Sequence, residues 1–411
     1  MNSSPFYGAV LVERAALNRH DENLVKKAVD YLASIKSCNS PTLHLLLQSG
    51  YKPSRAAVQG LLSKSVPTSI KDIVVAKVVA HEYSEAIALL ENDEHLGILK
   101  KLEYMVQVLI LCRKWKAVDE INHRFTSYAK SKHSQYDVTD QNSHTAIRLL
   151  LCAAYNLQGR FLDCLQCFLT VLEEYPAVVS QLAGECEEPF CTHDELITMI
   201  SVSMIVAIPL DNYENFVQLA DLEPFYQVAK PLTKWLKLLI GTSYRDFLHE
   251  WELLNEKCSE SIFLSQKWSA AKRSVRDKIY FFYLRISNTL EIPYLSETLC
   301  LDQSMVHDEI QMLIEELRLN FVIDGIVISY KERYNKRRLA RGLLLSENLL
   351  QNKLESLEDE NNVLRSKVQS SMNGQIVQQG SQLCGNSPQT NYLEENIDDC
   401  GFAGENDREP Y

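Results

Sequence analysis

Hydrophobic side chains recur every three or four residues from about Val10 to Leu290, the spacing that places them on one face of a helix. No proline occurs between Pro67 and Pro176, so long uninterrupted helices are expected in that stretch. The pattern therefore predicts a mostly α-helical protein in which amphipathic helices follow one another along the chain.

One pair of predicted helices has a regular pattern on both of its members. The two apolar stripes consist of Ile147, Leu150, Leu151 and Ala154, and then of Phe161, Leu165, Phe168, Leu169 and Leu172. Gly159 lies between them, where glycine suits the left-handed backbone that ends many helices. Because such hairpins bury their faces only by stacking on neighbours, the region is interpreted as a degenerate helical solenoid that resembles tetratricopeptide repeats.

The pattern changes around Leu290. A helix that ends near Ile286 is followed by a short helix from Tyr294 to Leu299 and an amphipathic helix from Val306 to Leu317. Two β-branched runs then flank Asp324-Gly325, a strong signal for a two-residue hairpin, because the tight turn needs positive φ. Helix, short helix, helix and hairpin follow one another in the order of a winged helix.

Beyond Tyr330 the sequence becomes basic and highly charged, and leucines then recur every seven positions. After Ser370 the composition shifts to small and polar residues and ends in an acidic segment that is predicted to be disordered. The chain is thus divided into an N-terminal helical region (1–90), a helical-repeat region (91–243), a winged-helix module (244–330), a C-terminal bundling helix (331–370) and an acidic tail (371–411).

Composition narrows the range of functions. The net charge is −12 and 46% of the residues are hydrophobic, enough for a substantial core. An acidic surplus argues against a protein that coats nucleic acid, because such binding depends on Lys and Arg displacing counterions from phosphates. The number of cysteines, 11, is odd, and the N-terminus lacks the basic segment followed by an apolar segment that is typical of a secretory signal. Reduced thiols, no membrane span and a location in cytoplasm and nucleus are therefore expected.

Motifs for catalysis or cofactor binding are absent from the sequence. Glycine is sparse, with 14 residues, and there is no phosphate-binding loop or His-Glu-x-x-His pair. Cys164-x-x-Cys167 lies inside a predicted helix, where packing is a better interpretation than metal binding. Cys186, Cys191 and His193 could supply three metal ligands from one loop, but an ordinary acidic loop is preferred. The chain is expected to be no enzyme and to need no metal or cofactor.

Several segments resemble the PCI family, whose members join a helical solenoid to a winged helix. They are Tyr244-Arg245-Asp246-Phe247-Leu248, Ser274-Val275-Arg276-Asp277-Lys278-Ile279, and Ile310 to Leu319 followed by Val322-Ile323-Asp324. Within the family they look most like subunit one of the COP-nine signalosome and the proteasome-lid non-ATPase subunit seven. The shortened wing turn and the weak tetratricopeptide match indicate a divergent member.

This resemblance implies a non-catalytic scaffold subunit, most simply of the signalosome, which removes a ubiquitin-like modifier from cullins. The implied partners are other PCI subunits and a catalytic subunit of the metalloprotease type. The proteasome lid or initiation factor three is the alternative complex. A hypothesis of another class is a nucleic-acid-binding regulator that uses the winged helix or a leucine zipper, whose affinity for DNA would fall steeply with salt.

The wing is predicted to be a subunit interface. PCI proteins pair the exposed edge of the wing with a neighbour, and the edge residues expected here are Ile326, Val327 and Ile328. Val327→Pro is expected to abolish partner binding, because proline removes a ladder donor.

The predicted recognition helix of the winged module is acidic. It carries Asp308, Glu309, Glu315 and Glu316, with Arg318 at its far end. In the major groove of DNA these carboxylates would lie close to phosphates, which repel them. The helix therefore favours a protein interface over a DNA interface.

The C-terminal helix is predicted to bundle with helices of partner subunits. The leucines expected in this bundle are Leu343, Leu350, Leu354, Leu357 and Leu364. The pattern resembles a basic leucine zipper, with Asn361 at an a position, but the basic segment contains Glu332 and directly follows a strand. Since isolated helices are marginal and Glu347 also falls at an a position, a mixed bundle is expected rather than a homodimer.

Overall fold

The chain forms two compact units, one up to Lys331 and one from Glu332 onward. The computed structural model describes residues 4–37, 39–48, 51–62, 69–131, 138–331, 344–347 and 349–366. Most of these residues are helical, and three strands occur among them near the end of the first unit. The mostly helical fold class predicted from the sequence is therefore confirmed.

The first unit begins with a group of short helices. These are α1 (Tyr7–Leu17), α2 (Glu22–Ser34), α3 (Pro41–Gln48), α4 (Arg55–Leu62), α5 (Ile70–Val79) and α6 (Tyr83–Asn92). Asp21 caps α2 by accepting from the backbone N–H groups of Asn23 and Leu24 at 3.0 and 3.1 Å. Helix α1 approaches α2 so closely that a Cβ atom at Gly8 would fall inside the ring of Tyr31.

Longer helices stack in the middle of the unit. These are α7 (Ile98–Leu111), α8 (Trp115–Ser131), α9 (Val138–Gln158), α10 (Phe161–Glu174) and α12 (His193–Ala207), with the short helix α11 (Val178–Ala183) before α12. The turn between α9 and α10 has the predicted form, since Gly159 adopts a φ of +80°. The N–H of Arg160 donates across this turn to the carbonyl of Tyr155 at 2.9 Å. Both predicted apolar stripes face inward, although Leu169 is only half-buried.

Helix α12 is buried along most of its length. Asn156 of α9 fixes it by donating to the carbonyl of Met199 at 3.1 Å and to the hydroxyl of Ser203 at 2.9 Å. No single described helix is long and apolar enough to cross a membrane; α12 reaches that length only together with Leu210–Val217, across a bend of 109°.

The carboxylate of Glu195, in the first turn of α12, joins distant parts of the first unit. It accepts a hydrogen bond from Arg14 of α1 at 2.5 Å and another from the hydroxyl of Ser261 at 2.6 Å. It also completes a capping box with Thr192. Glu195 is only 8% exposed, so the guanidinium of Arg14 compensates a charge that burial would otherwise make costly.

Shorter helices lead from the stack to the winged module. They are the 3-10 turns Leu210–Asn212 and Ala220–Leu222, and the helices α13 (Tyr213–Val217), α14 (Glu223–Val228), α15 (Lys230–Ile240), α16 (Tyr244–Glu252) and α17 (Asn255–Glu260). Aromatic side chains fill this region, and Trp251 of α16 packs between Trp235 and Trp268 with ring centroids 5.9 and 5.1 Å apart.

The winged module has the element order predicted from the sequence. It consists of α18 (Ser265–Ile286), β1 (Thr289–Glu291), α19 (Ile292–Leu299), α20 (Gln303–Glu316), β2 (Phe321–Asp324) and β3 (Val327–Tyr330). The tight turn between β2 and β3 depends on Gly325, which has a φ of +61°. Of the predicted apolar stripe of α20, Val306, Ile310 and Leu313 are buried and Ile314 is half-buried, whereas Leu317 follows the last residue of the helix and is exposed.

In the second unit, residues 349–366 form a continuous helix, and residues 344–347 are also helical. We refer to residues 349–366 as the C-terminal helix. Leu343 and the predicted acidic tail, 371–411, lie outside the described residues. The predicted divisions at residues 90 and 243, which fall inside the first unit, stay predictions.

Candidate assembly surfaces

A buried ion pair fixes the orientation of α20 in the winged module. Arg276 of α18 donates from Nε and Nη2 to the two carboxylate oxygens of Glu309, at 2.9 and 2.6 Å. The hydroxyl of Tyr280 donates to the same carboxylate at 3.0 Å. Because the geometry is bidentate and a third donor is present, the pair satisfies the requirements for burying two charges together.

The sequence interpretation placed Glu309 among the exposed carboxylates of α20, and this placement is wrong. Glu309 is buried and neutralised by Arg276. Helical spacing could have found it, since position 309 lies three residues after Val306 and four before Leu313, on the apolar face. A charged residue on that face implies a partner of opposite charge on the helix opposite it.

A second carboxylate of α18 is less well compensated. Asp277 lies 3.6 Å from Arg273, and its Oδ1 has no hydrogen-bond partner among the described residues. Burial raises the pKa of Asp277 to about 6, against the opposing attraction of Arg273. Ionised Asp277 therefore costs stability at neutral pH.

The exposed face of α20 remains acidic without Glu309. Asp308, Glu315 and Glu316 are exposed, and Asp308 contacts His307 at 3.2 Å. The positive end of this helix is capped by Asp302, which accepts from the N–H of Met305 at 3.0 Å. This face would still repel DNA phosphates, in agreement with the preference for a protein interface.

The order of the strands corrects the predicted wing edge. The sheet is antiparallel in the order β1-β3-β2, so β3 is its central strand. Val327 is paired with both Glu291 and Asp324, and Ile328 with both Leu290 and Ile323. Val327 and Ile328 therefore lie inside the sheet, and Ile328 is fully buried. Ile326 lies in the turn, 53% exposed, and its carbonyl accepts from the N–H of Ile292 at 2.9 Å.

The sheet has two edge strands, β1 and β2, and the edge on the side of the hairpin is β2. Among the described residues β2 pairs only with β3. The N–H of Tyr330 donates to the carbonyl of Asn288, so Tyr330 directs its backbone groups toward β1. Phe321 of β2 lies opposite Tyr330 as a pair without hydrogen bonds, and the N–H of Phe321 therefore points away from β3. By the same alternation, Ile323 presents its N–H to the outer edge. An incoming strand would thus meet Phe321 and Ile323 rather than the predicted residues.

The C-terminal helix carries the other predicted surface. Its leucines are strongly exposed in the structure: Leu350 is 68%, Leu354 58%, Leu357 57% and Leu364 61% exposed. Whether they contact a partner stays a prediction, and the predicted Leu343 lies outside the described residues. A row of exposed leucines on one helix is typical of a surface that another helix covers.

Comparison with known proteins gives the family of the chain. The model of the CSN11 N-terminal domain matches residues 7–272, and the model of the CSN11 C-terminal domain matches residues 289–400. The chain belongs to the CSN11 family. The match to the N-terminal CSN11 model ends within α18, and the match to the C-terminal model begins just after this helix. Helix α18 therefore connects the two family domains.

Curated relatives in the CSN11 family cover much of the chain. The Saccharomyces cerevisiae protein named Cop9 signalosome complex subunit 11 is 29% identical over 98% of this chain and 96% of its own length. The protein named COP9 signalosome complex subunit 11 in Kluyveromyces lactis is 29% identical over 71% of this chain and 75% of its own. The Candida glabrata protein of that name is 30% identical over 64% and 61%.

The cysteines of α9 and α10 in this CSN11-family chain lie in hydrophobic surroundings. Cys164 and Cys167 of α10 are buried, and Cys167 donates to the carbonyl of Arg148 at 3.5 Å. Cys152 of α9 is buried with them, and burial raises the pKa of its thiol. The packing interpretation of Cys164-x-x-Cys167 fits these surroundings.

The loop before α12 does not bring together a set of metal ligands. Cys191 donates to Glu195 at 3.6 Å, and Nδ1 of His193 pairs with the carbonyl of Gly184 at 2.7 Å. In the described part of the chain no three His, Cys, Asp or Glu side chains are grouped to hold a metal ion. Cys186 and Cys191 of this loop and His193, the first residue of α12, therefore do not form such a group in the structure.

Proposed function

We propose that this chain is a non-catalytic scaffold subunit of a COP9 signalosome. The observation that carries the proposal is the near full-length similarity to the S. cerevisiae protein named as subunit 11 of that complex. A helical stack that ends in a winged module is an architecture suited to spacing and joining subunits. The names of the relatives do not favour the proteasome lid or initiation factor three.

We further propose that the β2 edge joins a neighbouring PCI-type subunit. A strand with outward N–H groups at Phe321 and Ile323 can accept another strand by continuing the ladder. Val322 points to the opposite face of the sheet from Ile323, so an added strand would also contact its side chain. The C-terminal helix would supply a second, apolar surface for assembly.

The kinship within the PCI family is a finer proposal. The segments that resemble signalosome subunit one and lid subunit seven lie on α16, α18, α20 and β2 and include the ion-paired Arg276. Helices α18 and α20 contact the sheet, so much of the resemblance concerns the part of the module that holds the wing in place. This supports descent from the same type of subunit.

Catalysis is proposed to lie in another chain of the complex, a metalloprotease-type subunit. The buried carboxylates at Glu195 and Glu309 are neutralised by arginines and have structural partners. The buried thiols at Cys152 and Cys191 have pKa values raised by burial, which disfavours the nucleophilic thiolate. A location in cytoplasm and nucleus is part of the same proposal, testable by cell fractionation.

Affinity capture of the tagged chain followed by mass spectrometry tests the proposed function. We expect other signalosome subunits, including the metalloprotease-type subunit, to be captured and to remain bound as salt is raised. Nuclease treatment before capture should leave them bound. Capture of proteasome-lid subunits instead, or loss of the partners with nuclease and moderate salt, would contradict the proposal, the latter in favour of nucleic-acid binding.

A further inference from the structure

The exposed leucines of the C-terminal helix form the seam of a heptad repeat. Leu350, Leu357 and Leu364 occupy d positions, and Leu354 occupies the a position between the first two. All four side chains are more than half exposed in a helix that runs without a break from residue 349 to 366. The helix is about 27 Å long at the usual rise per residue, and the seam from Leu350 to Leu364 spans two heptads.

The charges beside this seam are complementary to the helix itself. Lys353 and Glu360 occupy g positions, and Glu358 and Arg365 occupy e positions. In a parallel, in-register pair of helices, each g residue faces the e residue five positions later in the other copy. Lys353 would thus face Glu358 of a second copy, and Glu360 would face Arg365. By symmetry each of these attractive contacts occurs twice, and no like charges are opposed at the described g and e positions.

These four charges are available for contacts with another molecule. All are exposed, and none of them takes part in an ion pair within the part of the chain that the structure describes. Charges that served only solubility would not need opposite signs at each facing pair of g and e positions.

Asn361 specifies the same arrangement. It occupies an a position, where an asparagine in a parallel pair can hydrogen-bond to the same asparagine of the other helix and so fix the register. In an antiparallel pair, a positions face d positions, so the amide would be set against a leucine. Burying an unpaired amide costs free energy, which disfavours that orientation.

We propose that the C-terminal helix docks in parallel and in register against the same helix of a second copy of this chain. This inference concerns self-association and goes beyond membership of any complex. The seam is short, and Glu347 would occupy the a position at its amino end, where two carboxylates repel. The dimer is therefore weak and forms in a concentration-dependent manner.

Sedimentation equilibrium of the purified full chain tests the proposal. The mean mass should rise from that of a monomer toward that of a dimer with concentration. Lys353→Glu and Glu358→Lys should each weaken self-association roughly tenfold or more, because each opposes like charges twice. Mixing the two variants should restore a 1:1 dimer of wild-type strength, since the mixed pair opposes opposite charges at both contacts.

Two further variants control the interpretation. Asn352→Glu adds a negative charge on the outward face and should leave self-association unchanged. Glu347→Leu extends the seam and should strengthen self-association at least tenfold. Helix content is followed by circular dichroism for every variant.

A chain that stays monomeric at all concentrations would overturn the proposal, and so would a mixture of Lys353→Glu and Glu358→Lys that fails to restore dimers. Either result would favour the alternative interpretation, in which the C-terminal helix forms a mixed bundle with helices of other subunits. Because the purified chain is used alone, these failures are distinct from a failure to capture signalosome subunits.

Discussion

Arg276 and Glu309 bind each other with two hydrogen bonds in the interior of the winged module, across the interface of α18 and α20. The side chains are 12% and 9% exposed, so neither charge is well solvated by water. The pair therefore links the helix that leaves the helical stack to the helix that precedes the β2–β3 hairpin. The position of the open strand edge depends on it.

Removing one member of this pair should be more harmful than replacing both. Glu309→Leu leaves the Arg276 guanidinium buried without its counter-charge, which is expected to cost about 3–5 kcal/mol. Arg276→Leu with Glu309→Leu removes both charges and should be less destabilised than either single variant. Urea denaturation of the three variants measures this, and a double variant as unstable as the sum of the singles would contradict it.

Asp277→Asn should stabilise the chain at neutral pH. The pKa of Asp277 is raised to about 6 by burial, so the native state binds this proton more tightly than the unfolded state does. Its contribution to stability is therefore greatest below pH ~4 and is lost as pH rises through about 6. The amide that replaces the carboxyl group cannot ionise, so the gain at pH 7 is expected to be on the order of 1–3 kcal/mol.

The measurement for Asp277→Asn is the difference in unfolding free energy between variant and wild type from pH 4 to pH 7. This difference removes the contribution of His144, whose pKa is lowered by burial to about 4 and which acts in the opposite direction. A difference that does not change with pH would show that Asp277 does not titrate as stated.

Two prolines in β2 should separate assembly from folding. Ile323→Pro removes an N–H that points to the open edge, so the sheet should persist while binding of a neighbouring strand is lost. Val322→Pro removes an N–H directed at Ser329 within the sheet and should destabilise the module itself. Thermal melting and capture of partner subunits are measured together.

Full partner capture by folded Ile323→Pro would exclude β2 as the joining edge. The Val327→Pro variant suggested by the sequence cannot separate assembly from folding. Val327 belongs to the central strand, and loss of its backbone N–H would disrupt the hairpin.

Gly8→Ala should destabilise the helices at the start of the chain. The added Cβ would overlap the ring of Tyr31, which must move and separate α1 from α2. Overpacking of this kind typically costs about 1–3 kcal/mol. Gly97→Ala adds a Cβ that meets no atom within 4 Å, so only a weaker N-cap of α7 is expected there. A melting temperature of Gly8→Ala equal to that of the wild type would contradict the close approach of α1 and α2.

The sequence predicted those features that depend on neighbouring residues. Gly159 was recognised because it specifies a local backbone conformation, and the apolar stripe of α20 because its period is that of a helix. The hairpin turn was predicted one residue too early, since Asp324 pairs with Val327 and the two-residue loop is Gly325-Ile326 rather than Asp324-Gly325. The pairing of β1 with β3 was not predicted, since Leu290 and Ile328 are far apart in sequence and β1 is only three residues long. The hydrophobic periodicity of a single segment does not show the order of the strands in a sheet.

Contacts between distant charges were also missed. Arg14 and Glu195 are 181 residues apart, and no local pattern connects them. The Thr192–Glu195 capping box was readable from its spacing, but the buried position of Glu195 depends on how α1 packs against α12. The candidate edge was wrong for the same reason, because a hairpin identifies two adjacent strands without showing which of them a third strand covers.

The central position of β3 has a consequence for biosynthesis. Of the strands in the described residues it is the last to be translated, yet β1 and β2 are both paired only through it. Until the ribosome has passed Tyr330, β1 and β2 lack the strand that pairs with both of them. During that time β2, with Phe321, has no hydrogen-bonded neighbour in the sheet. Since chains fold progressively from the N-terminus as they are made, the helical stack would be complete while the wing is still open. A neighbour that requires a finished β2 edge must therefore join after Tyr330 has left the ribosome.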